Sequence, residues 1–275
     1  MARSLGRFLL LLIAAIALSR ATPAPAASAD ERVPVDVELV LAVDVSYSMD
    51  FDELALQRNG YVQAIVSKPF LDALQKGPHG RIAVTYVEWA GVAEQHIVVP
   101  WRLIDGPEAA DTFAKLIETA PLRRVYRTSI SSALKFSAAL FGTGGYKGLR
   151  RVIDVSGDGT NNQGDLIEPT RDDVVARGIT INGLPIMLKE PMASMIDIAY
   201  LEHYYEDCVI GGPGAFVIPV REREQFVDAI RNKLVLEVAG VAPRARPLIV
   251  PVVSPPRVSC TIGERMWQQR WGGGG

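Results

Sequence analysis

Thiols and imidazoles are scarce in this chain: 275 residues hold two cysteines and three histidines. His79, His96 and His203 are scattered, and Cys208 and Cys260 form no Cys-x-x-Cys pair. Zinc-type clusters and dithiol redox motifs are therefore excluded. Positive charge is not in excess either. Lys plus Arg number 29 against 31 Asp plus Glu, which gives no electrostatic ground for nucleic-acid binding. A Gly-x-Ser-x-Gly elbow is missing, so the usual mark of a serine hydrolase is absent. No internal repeat is evident.

Long apolar runs are missing too, apart from Phe8 to Leu18. Arg3 and Arg7 precede that run, and Ala27-Ser28-Ala29 follows an Ala-Pro-rich stretch. A basic start, a short apolar core and small residues are the pattern of a secretory signal peptide over residues 1–29. The run is short for a membrane span; an uncleaved anchor and a cut after Ala26 are the alternatives. Residues 1–29 carry three arginines and no acidic residue, so the remainder has 26 basic against 31 acidic side chains. The expected location is the periplasm or the outside of the cell. In an oxidising compartment the two cysteines are expected to form one disulfide, tying the C-terminal tail back to the domain. Two free, buried thiols are the alternative.

What the chain does have is alternation of strands and helices. Val35 to Val43, Arg81 to Trp89, Gln95 to Trp101, Arg151 to Ser156, Ile179 to Met187 and Ala215 to Val220 read as strands. Phe51 to Val66, Pro107 to Thr119, Ser129 to Phe141, Pro169 to Arg177 and Glu222 to Val238 read as helices, with a short one near Tyr200. Asp50 is placed to cap the first helix. The order predicts an α/β, three-layer, doubly wound sheet, mostly parallel, with one antiparallel edge strand across the Ala90-Gly91 turn. The expected domain spans residues 30–240. A Pro-rich tail occupies 241–275, extended over 242–257.

Oxygen-bearing side chains gather at the predicted carboxyl ends of strands, where open α/β sheets bind ligands. Asp44, Ser46 and Ser48 follow the first strand as Asp-x-Ser-x-Ser. Thr128 precedes a helix, and Asp158 lies beyond the strand Arg151 to Ser156. An all-oxygen set of hydroxyls and carboxylates suits a hard divalent cation. Asp154 is the rival of Asp158, but it lies inside the predicted strand. Asn161 and Asn162 read as turn residues.

Asp-Val-Ser-Tyr-Ser at 44–48, Thr-Ser-Ile-Ser-Ser-Ala-Leu at 128–134 and Ser-Gly-Asp-Gly at 156–159 together resemble a von Willebrand factor A domain. The resemblance is to domains with a metal-ion-dependent adhesion site, in an uncharacterised exported bacterial branch. It covers roughly residues 35–240. It implies that Ser46 and Ser48 bind Mg²⁺ (or Mn²⁺) directly. Thr128 would bind directly or through water, and Asp44 and Asp158 through water. It further implies a protein partner whose Asp or Glu carboxylate completes the coordination. Two departures stand out: Tyr126 and Arg127 precede Thr128 where relatives often have glycines, and Gly157 replaces a common Thr. Arg127 is expected either to shape the rim or to pair with an incoming carboxylate.

The expected function is an exported, divalent-metal-dependent, adhesion-type protein-binding domain, not an enzyme. Metal-assisted phosphoester hydrolysis is one alternative, although Ser46 stands where such phosphatases carry a second acid. A structural envelope scaffold with a vacant or purely structural metal site is the other.

Overall fold

A computed structural model describes residues 31–188, 200–240 and 257–271. The signal peptide expected over 1–29, and residues 242–256 of the extended stretch expected over 242–257, lie outside the described residues. Five strands form one sheet: β1 (Val33–Asp44), β2 (Ile82–Trp89), β3 (Gln95–Ile104), β4 (Tyr146–Gly157) and β5 (Ile179–Pro185). Their order is β3-β2-β1-β4-β5, all parallel except the edge strand β3, which runs antiparallel to β2.

The pattern of β1 explains the three layers. Val37, Leu39, Leu41 and Val43 point into one core, and Val40 and Ala42 point into the other. A strand with apolar residues on both faces must be covered on both. On the first face lie α1 (Phe51–Ile65), α2 (Lys68–Leu74), α3 (Pro107–Thr119) and, later in the chain, α7 (Phe226–Ala239). On the second lie α4 (Ile130–Leu140), α5 (Ile167–Ala176) and α6 (Leu201–Tyr204), which runs on into a π turn, Tyr205–Val209. The register Val43↔Ser156 and Asp44↔Trp89 brings the ends of β1, β2 and β4 to one edge. That edge is the topological switch point, where β1 feeds α1 on one side and β4 leads to α5 on the other. Asp50 caps α1: its side chain accepts from the Glu53 N–H, and Glu53 accepts from the Asp50 N–H.

Two differences from the sequence reading have physical causes. Ala215 to Val220 is not a strand. It makes only isolated parallel bridges to β5, Gly183↔Val217 and its extension Ile186↔Val220. Pro213 and Pro219 have no N–H to give a ladder, and Gly212 and Gly214 turn the chain at φ +93° and +73°. The second difference is α8 (Ile262–Trp271), a helix in the segment read as tail. Cys208 and Cys260 are bonded, with Cα atoms 5.5 Å apart, so the disulfide delivers α8 to the α4–α6 side. Among the described residues no helix is long and apolar enough to cross a membrane.

Candidate metal centre

β1 ends at Asp44, which is wholly buried. Its Oδ1 accepts from the Ser46 N–H at 2.7 Å, and its backbone carbonyl accepts from Gln57 Nε2 at 2.9 Å. These contacts fold the loop after β1 into a tight arc. The arc sets Ser46 Oγ and Ser48 Oγ 2.9 Å apart. Ser48 Oγ in turn donates to Asp158 Oδ1 at 2.6 Å, across to the loop after β4. Four of the five expected residues, Asp44, Ser46, Ser48 and Asp158, are thus joined in one hydrogen-bonded chain.

Thr128 enters from a neighbouring loop. The segment leading to it is laid beside the first loop by the Val125 N–H, which donates to the Val45 carbonyl at 2.9 Å. Thr128 is nearly buried, and its N–H donates to Asn162 Oδ1 at 3.2 Å while its carbonyl accepts from the Asn162 N–H at 2.9 Å. Gly159 faces it: a Cβ there would lie 3.8 Å from Thr128 Oγ1. Asn162 is therefore the residue that ties the second loop to the third, a role that a turn signal in sequence does not reveal.

Asp44 Oδ2 is buried and has no hydrogen-bond partner. Burial raises the Asp44 carboxyl well above the usual range, and the nearby Asp158 carboxylate raises it further. The Tyr205 hydroxyl beside it is also buried and unpartnered. Its ionisation is suppressed first by burial and then by Asp44. Gly157 packs against both groups: a Cβ there would sit 2.7 Å from Asp44 Oδ2 and 2.9 Å from the Tyr205 oxygen. A Thr at 157 would collide with this carboxylate, which accounts for the glycine. An orphaned carboxylate oxygen, a second carboxylate and hydroxyls within hydrogen-bond reach fit a hard cation. Among the described residues no three His, Cys, Asp or Glu side chains gather as a metal cluster. The donors here are mostly hydroxyls.

The rim is aromatic and cationic. Tyr47 and Tyr126, both exposed, stack with centroids 4.3 Å apart. The Arg124 guanidinium lies 3.8 Å above the Tyr47 ring and donates to the Tyr47 carbonyl. Arg127 turns towards α8. Its guanidinium lies 3.5 Å over the Trp267 ring of α8. Asp154, the rival of Asp158, is buried in β4 and paired with Lys233.

Solved structures share this architecture at low identity. Proximal thread matrix protein 1 from the mussel byssus superposes with a TM-score of 0.55 and 15% identity, covering 76% of this chain and 49% of that one. A second structure of that mussel protein has a zinc-occupied MIDAS motif, the metal-ion-dependent adhesion site. The pilus adhesin SpaC from Lactobacillus rhamnosus GG gives 0.54 and 11%, covering 74% and 30%. A von Willebrand factor type A protein from Catenulispora acidiphila gives 0.51 and 14%, covering 75% and 43%. The chain thus spans about half the length of the mussel protein and less of the other two. These likenesses fix the fold as that of the von Willebrand factor A domain. No curated protein matches the sequence. Residues 34–242 match the family described as protein of unknown function DUF1194, and the chain belongs to that family.

Proposed function

We propose that this is an exported protein-binding domain whose grip on its partner depends on Mg²⁺ or Mn²⁺. The observation that carries the reading is Asp44 Oδ2, buried without a partner while Asp158 lies close enough to repel it. Two carboxylates sharing a buried site are stabilised by a cation between them. Ser46 and Ser48 would hold that cation through their hydroxyls. Thr128 would do so directly or through water, and Asp44 and Asp158 would orient bound water. A bound cation held by so few direct charges offers an open position to an Asp or Glu carboxylate of a partner protein.

The surroundings suit docking. Tyr and Arg are enriched among the residues that anchor protein interfaces, and here Tyr47, Tyr126 and Arg124 stand at the mouth of the site. The zinc in the mussel relative's motif supports a divalent cation on this fold. Catalysis fits the geometry less well. Ser156 is wholly buried, out of reach of a substrate, and Ser46 stands where a phosphatase would need a second acid. Residues 1–29 would act as the signal peptide and 30–240 as the binding domain, in the periplasm or outside the cell.

The test is calorimetric titration of the purified protein with Mg²⁺ and Mn²⁺, beside Asp44→Ala. Saturable binding in the wild type that is lost in the variant is expected. A folded wild type that binds neither ion sinks the reading.

A further inference from the structure

We infer that the C-terminal helix α8 is a built part of the metal centre. Through Asn161 and Arg127 it fixes the loops that carry Thr128 and Asp158, with Glu264 and Trp267 as positioning residues. The inference rests on the metal-binding reading above and extends it to a segment beyond the sheet.

The chain of contacts begins at the disulfide. Cys260 is bonded to Cys208, and the Tyr204 hydroxyl bridges the Cys260 carbonyl, at 3.5 Å, and the Asn161 N–H, at 3.2 Å. α8 then starts against the loop after β4. Gly263 lies so close that a Cβ would sit 2.1 Å from the Asn161 carbonyl oxygen and 2.4 Å from Thr160 Oγ1. Only glycine permits that approach. The next residue, Glu264, accepts from Asn161 Nδ2 at 2.7 Å. Trp267, three residues on and so on the same helix face, lies beneath the Arg127 guanidinium at 3.5 Å.

Both contacts land on residues that set the site. Asn161 is wholly buried. Its Oδ1 accepts from the Ser131 N–H at 3.0 Å, which holds the first turn of α4, and its Nδ2 also donates to the Asp165 carbonyl. Its neighbour Asn162 holds Thr128 by both backbone bonds. Arg127, directly before Thr128, is the one non-glycine among the described residues with positive φ, at +80°. A residue in that region persists only where its surroundings over-determine it. Here the cation–π contact with Trp267 supplies a clamp. Where glycine would adopt such a backbone freely, this chain carries an arginine held in place by α8.

The experiment compares wild type with Glu264→Ala, Glu264→Gln, Asn161→Ala, Gly263→Ala and the Asn161→Ala/Glu264→Ala pair. Mn²⁺ affinity is measured by calorimetry, and amide hydrogen exchange at Thr128 and Ser131 is measured without metal. Asn161→Ala should weaken Mn²⁺ binding about tenfold, the lower range for a residue that orients a metal site. Glu264→Ala should weaken it by a smaller factor and speed both amides. Glu264→Gln, which still presents an acceptor to Asn161, should restore wild-type behaviour. The double variant should bind no worse than Asn161→Ala alone, since both changes break one contact. Gly263→Ala should reproduce Glu264→Ala through displacement of α8 rather than loss of a carboxylate. Wild-type binding with unchanged affinity or exchange in Glu264→Ala and Gly263→Ala overturns the role of α8 alone. A wild type that binds no Mn²⁺ overturns the metal reading itself.

Discussion

Lys233 Nζ lies 2.5 Å from Asp154 Oδ1, and both side chains are wholly buried. The same ammonium is 2.5 Å from Glu237 Oε1, one turn along α7. Asn182 Nδ2 adds a hydrogen bond to Glu237 at 3.0 Å. One cation thus serves two buried carboxylates between β4 and α7. It commits Asp154 to the interior of the domain, four residues before Asp158.

Removing that cation leaves both carboxylates in the core without a counter-charge. Loss of one partner of a buried ion pair costs about 3–5 kcal/mol. Lys233→Met is therefore expected to lower the unfolding free energy by about that amount, read from urea unfolding at neutral pH.

The same triad makes stability depend on pH. Burial, reinforced by the Asp154 carboxylate, raises Glu237 from an ordinary 4.5 to about 7. Burial raises Asp154 as well. A raised carboxyl binds its proton more tightly in the folded state than in the unfolded state. Its stabilising contribution is then complete below about pH 4.5 and is lost as pH climbs through about 7. The difference for Glu237 is roughly 3 kcal/mol between those limits. Urea midpoints of the wild type should fall over this range, and Glu237→Gln should flatten most of the fall. A slope unchanged in the variant would locate the titrating group elsewhere.

These contacts show what a sequence can and cannot reveal. β1 was legible because apolar residues on both faces and Asp-x-Ser-x-Ser at its end are local signals. The mostly parallel sheet and the antiparallel β3 followed from alternation and a short turn, while the order of the strands had no local signal. Asn161 and Asn162 looked like turn residues because their partners, Ser131, Thr128 and Glu264, are distant in the chain. α8 was hidden because its polar sequence shows little apolar periodicity; what holds it is the disulfide and a few specific contacts. Lys233 reads as an ordinary helix-surface lysine until Asp154 is seen opposite it.

The disulfide closes a loop of 52 residues that includes α7. Chain-entropy arguments put the stabilisation from such a closure at about 4 kcal/mol, and measured values run lower. A Cys208→Ser/Cys260→Ser pair is expected to lose about 2–4 kcal/mol in urea unfolding. It should also bind Mn²⁺ more weakly than the wild type, because α8 loses its anchor next to Asn161. Equal Mn²⁺ affinity in the two proteins would mean that Glu264 and Trp267 hold α8 without the bridge.

Asp44 separates a structural role from a ligand role. In the absence of metal its carboxylate is buried, unpartnered at Oδ2 and repelled by Asp158. Replacing it with Asn removes that repulsion and keeps an oxygen for the Ser46 N–H, now bonded at 2.7 Å. A residue that only shaped the loop would be expected to lose stability on substitution. A carboxylate kept for a cation gives the opposite pattern. Metal-free Asp44→Asn should melt at or a few degrees above the wild type, in keeping with roughly 1 kcal/mol of relieved destabilisation in a domain of this size. In excess Mg²⁺ the order should reverse, because binding to the folded state alone stabilises by RT ln(1 + [Mg²⁺]/Kd) and the variant has lost that binding. Thermal melts of both proteins with and without Mg²⁺ check this. A wild type that gains nothing from Mg²⁺ while the variant is less stable throughout would assign Asp44 to the loop and not to a cation.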